Sequence, residues 1–144
     1  MQNAQSGQSG ASTPNLNGDT VLVVEDDGDL NELLGAYVEV AGFRYRSAKD
    51  GATALREALA HAPALILLDL MLPDTDGFDV CRRLKNDSQT AAIPVLMLTA
   101  MHGEESRRRG LECGAVGYMT KPFDPDRLMN AIRETAVKPE KHHV

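Results

Sequence analysis

Five short apolar runs, at residues 20–25, 43–48, 65–69, 95–99 and 116–119, divide this chain, and helix-like segments lie between them. Most of the runs are continuously apolar, which suits parallel strands covered on both faces. Phe43-Arg44-Tyr45-Arg46 alternates instead, as an edge strand does. In the intervening segments apolar residues return every three or four positions. Leu30, Leu33, Leu34, Tyr37, Val38 and Ala41 form the first such stripe, with Gly42 as its stop signal. Ala54, Leu55, Ala58 and Leu59 form the second, and Phe78, Cys81 and Leu84 the third. Residues 103–113 give a weaker fourth, and Leu128, Met129, Ile132 and Ala136 a fifth. Strand and helix in strict alternation predict a doubly wound α/β domain with right-handed crossovers. In such sheets the working crevice lies outside the carboxyl ends of the strands.

The chain has 144 residues, room for one domain with a proper core and hardly for two. A net charge of −6 argues against nonspecific binding to nucleic acid or anionic membrane. No apolar run is long enough to cross a bilayer as a helix, and no signal-peptide pattern opens the chain. Cys81 and Cys113 lack a second pair to complete a metal cage, so they read as buried or half-buried thiols of a reducing cytoplasm. Residues 1–18 are polar, without apolar periodicity, and are expected to be a disordered leader. The folded domain is expected over 19–136, with a flexible tail at 137–144 whose His142 and His143 are a weak metal signal.

Four of the apolar runs end at residues that carry chemistry. Glu25-Asp26-Asp27 ends the first, Asp69 the third and Thr99 the fourth, and Lys121 follows the fifth. Asp27 reads as the cap of the helix that follows it. Carboxylates converging from Glu25, Asp26 and Asp69 repel one another and call for a cation. Hard oxygen ligands without histidine or cysteine suit Mg²⁺. A carboxylate is also a nucleophile able to form an acyl phosphate. The phosphoryl oxygens would then be neutralised by the cation, Lys121 and the Thr99 hydroxyl.

The motifs Val23-Val24-Glu25-Asp26-Asp27, Leu68-Asp69-Leu70-Met71-Leu72-Pro73, Leu98-Thr99-Ala100 and Gly117-Tyr118-Met119-Thr120-Lys121-Pro122-Phe123 strongly resemble the receiver domain of two-component response regulators. The resemblance covers about residues 19–136 and includes the spacings from Asp69 to Thr99 and Lys121. It implies a flavodoxin-like (βα)5 sheet in strand order 2-1-3-4-5. Asp69 would accept a phosphoryl group from a sensor histidine kinase or phosphotransfer protein. Asp26 would be the direct Mg²⁺ ligand, Glu25 a water-mediated one, and the Met71 backbone carbonyl a third contact, with Asp69 also among the metal residues. Thr99 and Tyr118 would form the switch, Thr99 moving to the phosphate and Tyr118 turning inward. Lys121-Pro122 would be a cis peptide, and Gly77 would open the third helix. The acidic pair reads Glu-Asp where Asp-Asp is usual, a variant that should keep Mg²⁺ binding.

The implied output is a protein-interaction surface on the fourth helix, fifth strand and fifth helix, read by a downstream protein target or by homodimerisation. Direct nucleic-acid and membrane contacts are not expected. Arg107-Arg108-Arg109 reads either as a solvated face or as a docking site for an acidic partner. The protein would be a cytoplasmic switch catalysing only its own phosphorylation and dephosphorylation. Alternatives are a module of a larger regulator or hybrid kinase and an aspartyl-phosphate phosphatase. The phosphatase is disfavoured because Met71 stands where a second acid would be needed. Met71 and Met101 flank the phosphoryl position in the resemblance and should slow hydrolysis by water.

Overall fold

A computed structural model of the chain describes residues 19–137. The expected leader, and the expected tail beyond Val137, lie outside the described residues. The elements are β1 (Thr20–Val24), α1 (Gly28–Val40), β2 (Arg44–Ala48), α2 (Gly51–His61), β3 (Leu65–Leu68), α3 (Gly77–Asn86), β4 (Val95–Thr99), α4 (Glu104–Glu112), β5 (Gly117–Thr120) and α5 (Pro125–Thr135). All strand pairs are parallel, in order β2-β1-β3-β4-β5. The doubly wound fold expected from the alternation, and the flavodoxin-like strand order implied by the resemblance, are the ones observed.

Alternate residues of each central strand face opposite layers. Val21, Val23, Leu65, Leu67, Leu96 and Leu98 pack with Leu34 and Val38 of α1 and Leu128 and Ile132 of α5. Leu22, Val24, Ile66, Leu68, Val95 and Met97 pack with Ala54 and Ala58 of α2 and Phe78, Cys81 and Leu84 of α3. Every residue of β1, β3 and β4 is buried, which is why these runs read as continuously apolar. The edge strand β2 buries only Ala48 fully.

The helices start where short acids supply caps. Asp27, Asp50, Asp76 and Asp124 each accept a hydrogen bond from an amide of the following first turn. Gly42, at φ 103°, follows the end of α1 in the left-handed region that glycine tolerates. The exception is α4, whose N-cap is Gly103 and so lacks a side-chain cap, and which contributes only Gly110 to the buried set. It is therefore the helix with the fewest buried residues.

The expected strand at 116–119 is shifted by one residue. Val116 is 51% exposed, and the ladder runs instead from Gly117 to Thr120. Val137, placed in the expected tail, donates its N–H to the Ala64 carbonyl at 3.0 Å and so remains attached to the domain.

Candidate phosphoryl-acceptor and cation site

The parallel ladder continues for one residue past several strand ends, and this brings the polar residues together. Glu25 N–H donates to the Ala48 carbonyl at 3.0 Å, Asp69 N–H to the Val24 carbonyl at 3.0 Å, and Lys121 N–H to the Thr99 carbonyl at 2.8 Å. Each side chain is thus anchored by backbone to the tip of a neighbouring strand. Glu25, Asp69 and Thr99 are all buried. The approach to Asp69 is close enough to demand glycine at position 77. A Cβ there would lie 2.6 Å from the Asp69 carbonyl oxygen. Gly77 opens α3, as expected.

The Lys121 ammonium donates to Glu25 Oε1 at 2.6 Å and to Asp69 Oδ2 at 3.0 Å. The second oxygens are also held. Glu25 Oε2 accepts from Asp27 N–H at 3.1 Å, and Asp69 Oδ1 accepts from Met71 N–H at 3.1 Å. Asp26 differs: it is exposed and has no ion pair or side-chain hydrogen bond within the described residues. Ligand oxygens of Glu25, Asp26 and Asp69 lie within 4.8 Å of one another. Three carboxylates against one ammonium leave an excess of negative charge, and all available ligands are hard oxygens. A divalent cation such as Mg²⁺ fits this donor set.

The electrostatics follow from burial against pairing. Burial pushes the Glu25 carboxyl above its ordinary value of 4.5, and the Lys121 hydrogen bond offsets this only in part. Burial alone would lower Lys121, but its bonds to Glu25 and Asp69 prevail and raise it above 10.5.

Thr99 ends β4, and its Oγ1 accepts from Met101 N–H at 3.2 Å. The Met101 carbonyl in turn accepts from the Tyr118 hydroxyl at 2.7 Å. Tyr118 is only 8% exposed, so its ring occupies an inward position against the core. The Lys121-Pro122 peptide is cis.

The arginine run divides into three environments. Arg108 pairs with Glu105 and Glu112 on its own helix. The Arg109 guanidinium lies 4.1 Å from the Phe78 ring centroid on α3. Arg107 and Arg127 line a groove of about 450 Å³ with Glu104, Tyr118, Phe123 and Asp124. This groove occupies the surface formed by α4, β5 and α5. Cys81 is buried and Cys113 half-buried, as expected, and both are free thiols.

Sequence reasoning did not find two residues that shape the site. Asp74, in the loop after Asp69, accepts from the Gly51 and Ala52 amides at 2.8 and 3.1 Å and so ties that loop to the start of α2. Asn31 holds the Glu25 backbone, and a polar residue one turn before Leu34 and two before Val38 on α1 was its one available signal.

A fold of this topology with an acidic pocket at the carboxyl edge of its sheet defines a class, and the sequence comparisons place the chain within it. Residues 21–133 match the family model described as the response regulator receiver domain. The chain belongs to this family, the receiver domains of two-component systems, which are signalling switches and bind Mg²⁺ at an acidic pocket. It is 42% identical over 113 residues to the DNA-binding dual master transcriptional regulator RpaA of Synechocystis, covering 78% of this chain and 47% of that protein. It is 45% identical over 118 residues to the transcriptional regulatory protein GltR of Pseudomonas aeruginosa, covering 81% and 48%. The chain thus spans about half the length of these relatives. Among solved structures, the BeF3-activated N-terminal receiver domain of Klebsiella pneumoniae RstA has a TM-score of 0.74 at 30% identity, covering 81% of this chain and 97% of that one. Vibrio cholerae chemotaxis protein CheY4 has a TM-score of 0.75 at 29% identity, with the same coverages. No helix of the described residues is long and apolar enough to cross a membrane.

Proposed function

We propose that this receiver takes a phosphoryl group onto Asp69 from the phosphohistidine of a sensor kinase or phosphotransfer protein, in a Mg²⁺-dependent reaction, and so switches the surface of α4, β5 and α5. The observation that carries this reading is the placing of Asp69. It is buried at a strand tip, 3.0 Å from the Lys121 ammonium, and clustered with the unpartnered carboxylate of Asp26.

In the transfer, an Asp69 carboxylate oxygen forms a bond to phosphorus while the bond from phosphorus to the donor imidazole nitrogen breaks. The bonding pair stays on that nitrogen, which takes a proton from solvent. Asp26 and Asp69 would hold Mg²⁺ directly with the Met71 carbonyl. Glu25 would act through water, while its two oxygens keep their hydrogen bonds from Asp27 N–H and Lys121. Bound Mg²⁺ supplies charge neutralisation at the phosphoryl oxygens. Lys121 supplies a second positive charge from its place beside Asp69, and the Thr99 hydroxyl a hydrogen bond after leaving Met101. Because Met101 joins Thr99 to Tyr118, a move of the Thr99 hydroxyl changes the support of the Tyr118 ring, on which Gly110 of α4 packs. The chain then acts as a switch of the cytoplasm that alters only its own phosphorylation state, read by a downstream protein or by a second copy.

Beryllofluoride with Mg²⁺ tests this reading. Wild type should show perturbed Thr99, Met101 and Tyr118 resonances, and Asp69→Asn should not. An unchanged wild-type spectrum would contradict it. A second reading, a receiver module within a larger regulator, is favoured by the 47% and 48% coverage of the two relatives. The length of the gene decides it.

A further inference from the structure

Asn31 is 1% exposed and lies on the buried face of α1. Its Nδ2 donates to the Glu25 carbonyl at 2.9 Å and reaches the Val23 and Ala48 carbonyls at 3.3 Å each. Its Oδ1 accepts from the Tyr45 hydroxyl, which also lies 3.1 Å from the Asn31 carbonyl oxygen. One amide therefore joins the end of β1, the first residue of the acidic loop and the end of β2. Glu25 is fixed at every polar atom: its amide by Ala48, its carbonyl by Asn31, and its two carboxylate oxygens by Lys121 and Asp27. Asp26 has no such support for its side chain, so its carboxylate is placed by the backbone on either side.

We propose that Asn31 is a positioning residue of the cation site, holding the Glu25–Asp26 loop so that the Asp26 carboxylate stays beside Asp69, with Tyr45 orienting the Asn31 amide. The inference rests on the reading of the acidic cluster as a divalent-cation site. Its physical basis is preorganisation. Carboxylates gathered by the fold repel one another, and a loop without a clamp relieves that repulsion by moving Asp26 away. A clamp made on folding removes this cost from the binding step, as hydrogen-bond partners of metal ligands commonly do. A purely structural asparagine, satisfying three buried carbonyls, would affect stability and leave cation affinity alone.

The test is Mg²⁺ titration by calorimetry, with amide exchange of Asp26 and Asp27 measured alongside. Asn31→Ala should raise the Mg²⁺ dissociation constant roughly tenfold and speed exchange in the loop. Tyr45→Phe, which keeps the ring and removes only the hydroxyl, should raise it about threefold, and it carries the test if Asn31→Ala fails to fold. Val38→Ala, a core truncation on the same helix, should lower the melting temperature and leave the dissociation constant unchanged. Wild-type affinity in both Asn31→Ala and Tyr45→Phe would overturn the inference while leaving the cation site standing. A wild type that binds no Mg²⁺, or an Asp26→Asn variant that binds it as tightly, would remove the site and the inference together.

Discussion

Lys121 and Asp69 meet at 3.0 Å from positions 52 residues apart, and the same ammonium reaches Glu25 at 2.6 Å. One lysine thus neutralises part of the charge that gathers at the sheet edge, and it competes there with any divalent cation. Lys121→Met should therefore bind Mg²⁺ more tightly than wild type while accepting phosphoryl groups far more slowly. Calorimetry and phosphorylation kinetics on the same preparation check this. The folded-state pKa of Lys121 is raised, so its contribution to stability is complete below the ordinary lysine value of 10.5 and is lost as pH rises through the folded value. Melting temperature against pH should fall less steeply on the alkaline side for Lys121→Met.

Asp74 holds the loop after Asp69 to α2. The Gly51 and Ala52 amides keep its carboxyl below the ordinary 3.8. A lowered folded value stabilises above 3.8 and is lost as pH falls through the folded value. Asp74→Asn should melt below wild type at neutral pH, and the gap should close in acid. A gap that persists at the lowest pH would contradict the account.

Gly110 brings α4 against the sheet. A Cβ there would lie 2.7 Å from Met97 Sδ and 3.0 Å from the Tyr118 ring. Alanine favours a helix over glycine by up to about 1 kcal/mol, but overpacking a buried contact costs about 1–3 kcal/mol. Gly110→Ala should therefore destabilise in chemical denaturation and shift the Tyr118 ring resonances.

The sheet edge was legible in the sequence because a parallel doubly wound domain places all its strand ends on one side. Identifying the strands was enough to bring Glu25, Asp26, Asp69, Thr99 and Lys121 together. The cap at Asp27 was local and equally readable, whereas Asp76, which caps α3, was passed over. Contacts fixed by side-chain direction were not readable. Asp74 accepts from the first amides of a helix 23 positions upstream, Arg109 lies over Phe78, and Asn31 reaches a carbonyl of each of two strands and that of Glu25. In sequence these residues look like a loop acid, one of three arginines and a polar interruption of an apolar stripe. Arg107-Arg108-Arg109 shows the same limit, since helical rotation sends each to a different neighbour.

Met71 and Met101 follow Asp69 and Thr99 by two positions. Met101 packs against the core, whereas Met71 is 59% exposed. Neither offers a polar atom to orient a water for attack on an acyl phosphate. The phosphorylated protein should lose its phosphate over minutes or longer, and Met71→Asn should shorten that lifetime. Loss from wild type within seconds would contradict this.

The acceptor role of Asp69 is tested most directly by intact mass after incubation with acetyl phosphate and Mg²⁺. Wild type should gain the mass of one phosphoryl group, lose the gain when Mg²⁺ is chelated beforehand, and yield an Asp69 peptide carrying it. Asp69→Asn should gain nothing at that position. A wild type of unchanged mass, or a phosphoryl group on another residue with Asp69 unmodified, would contradict the account.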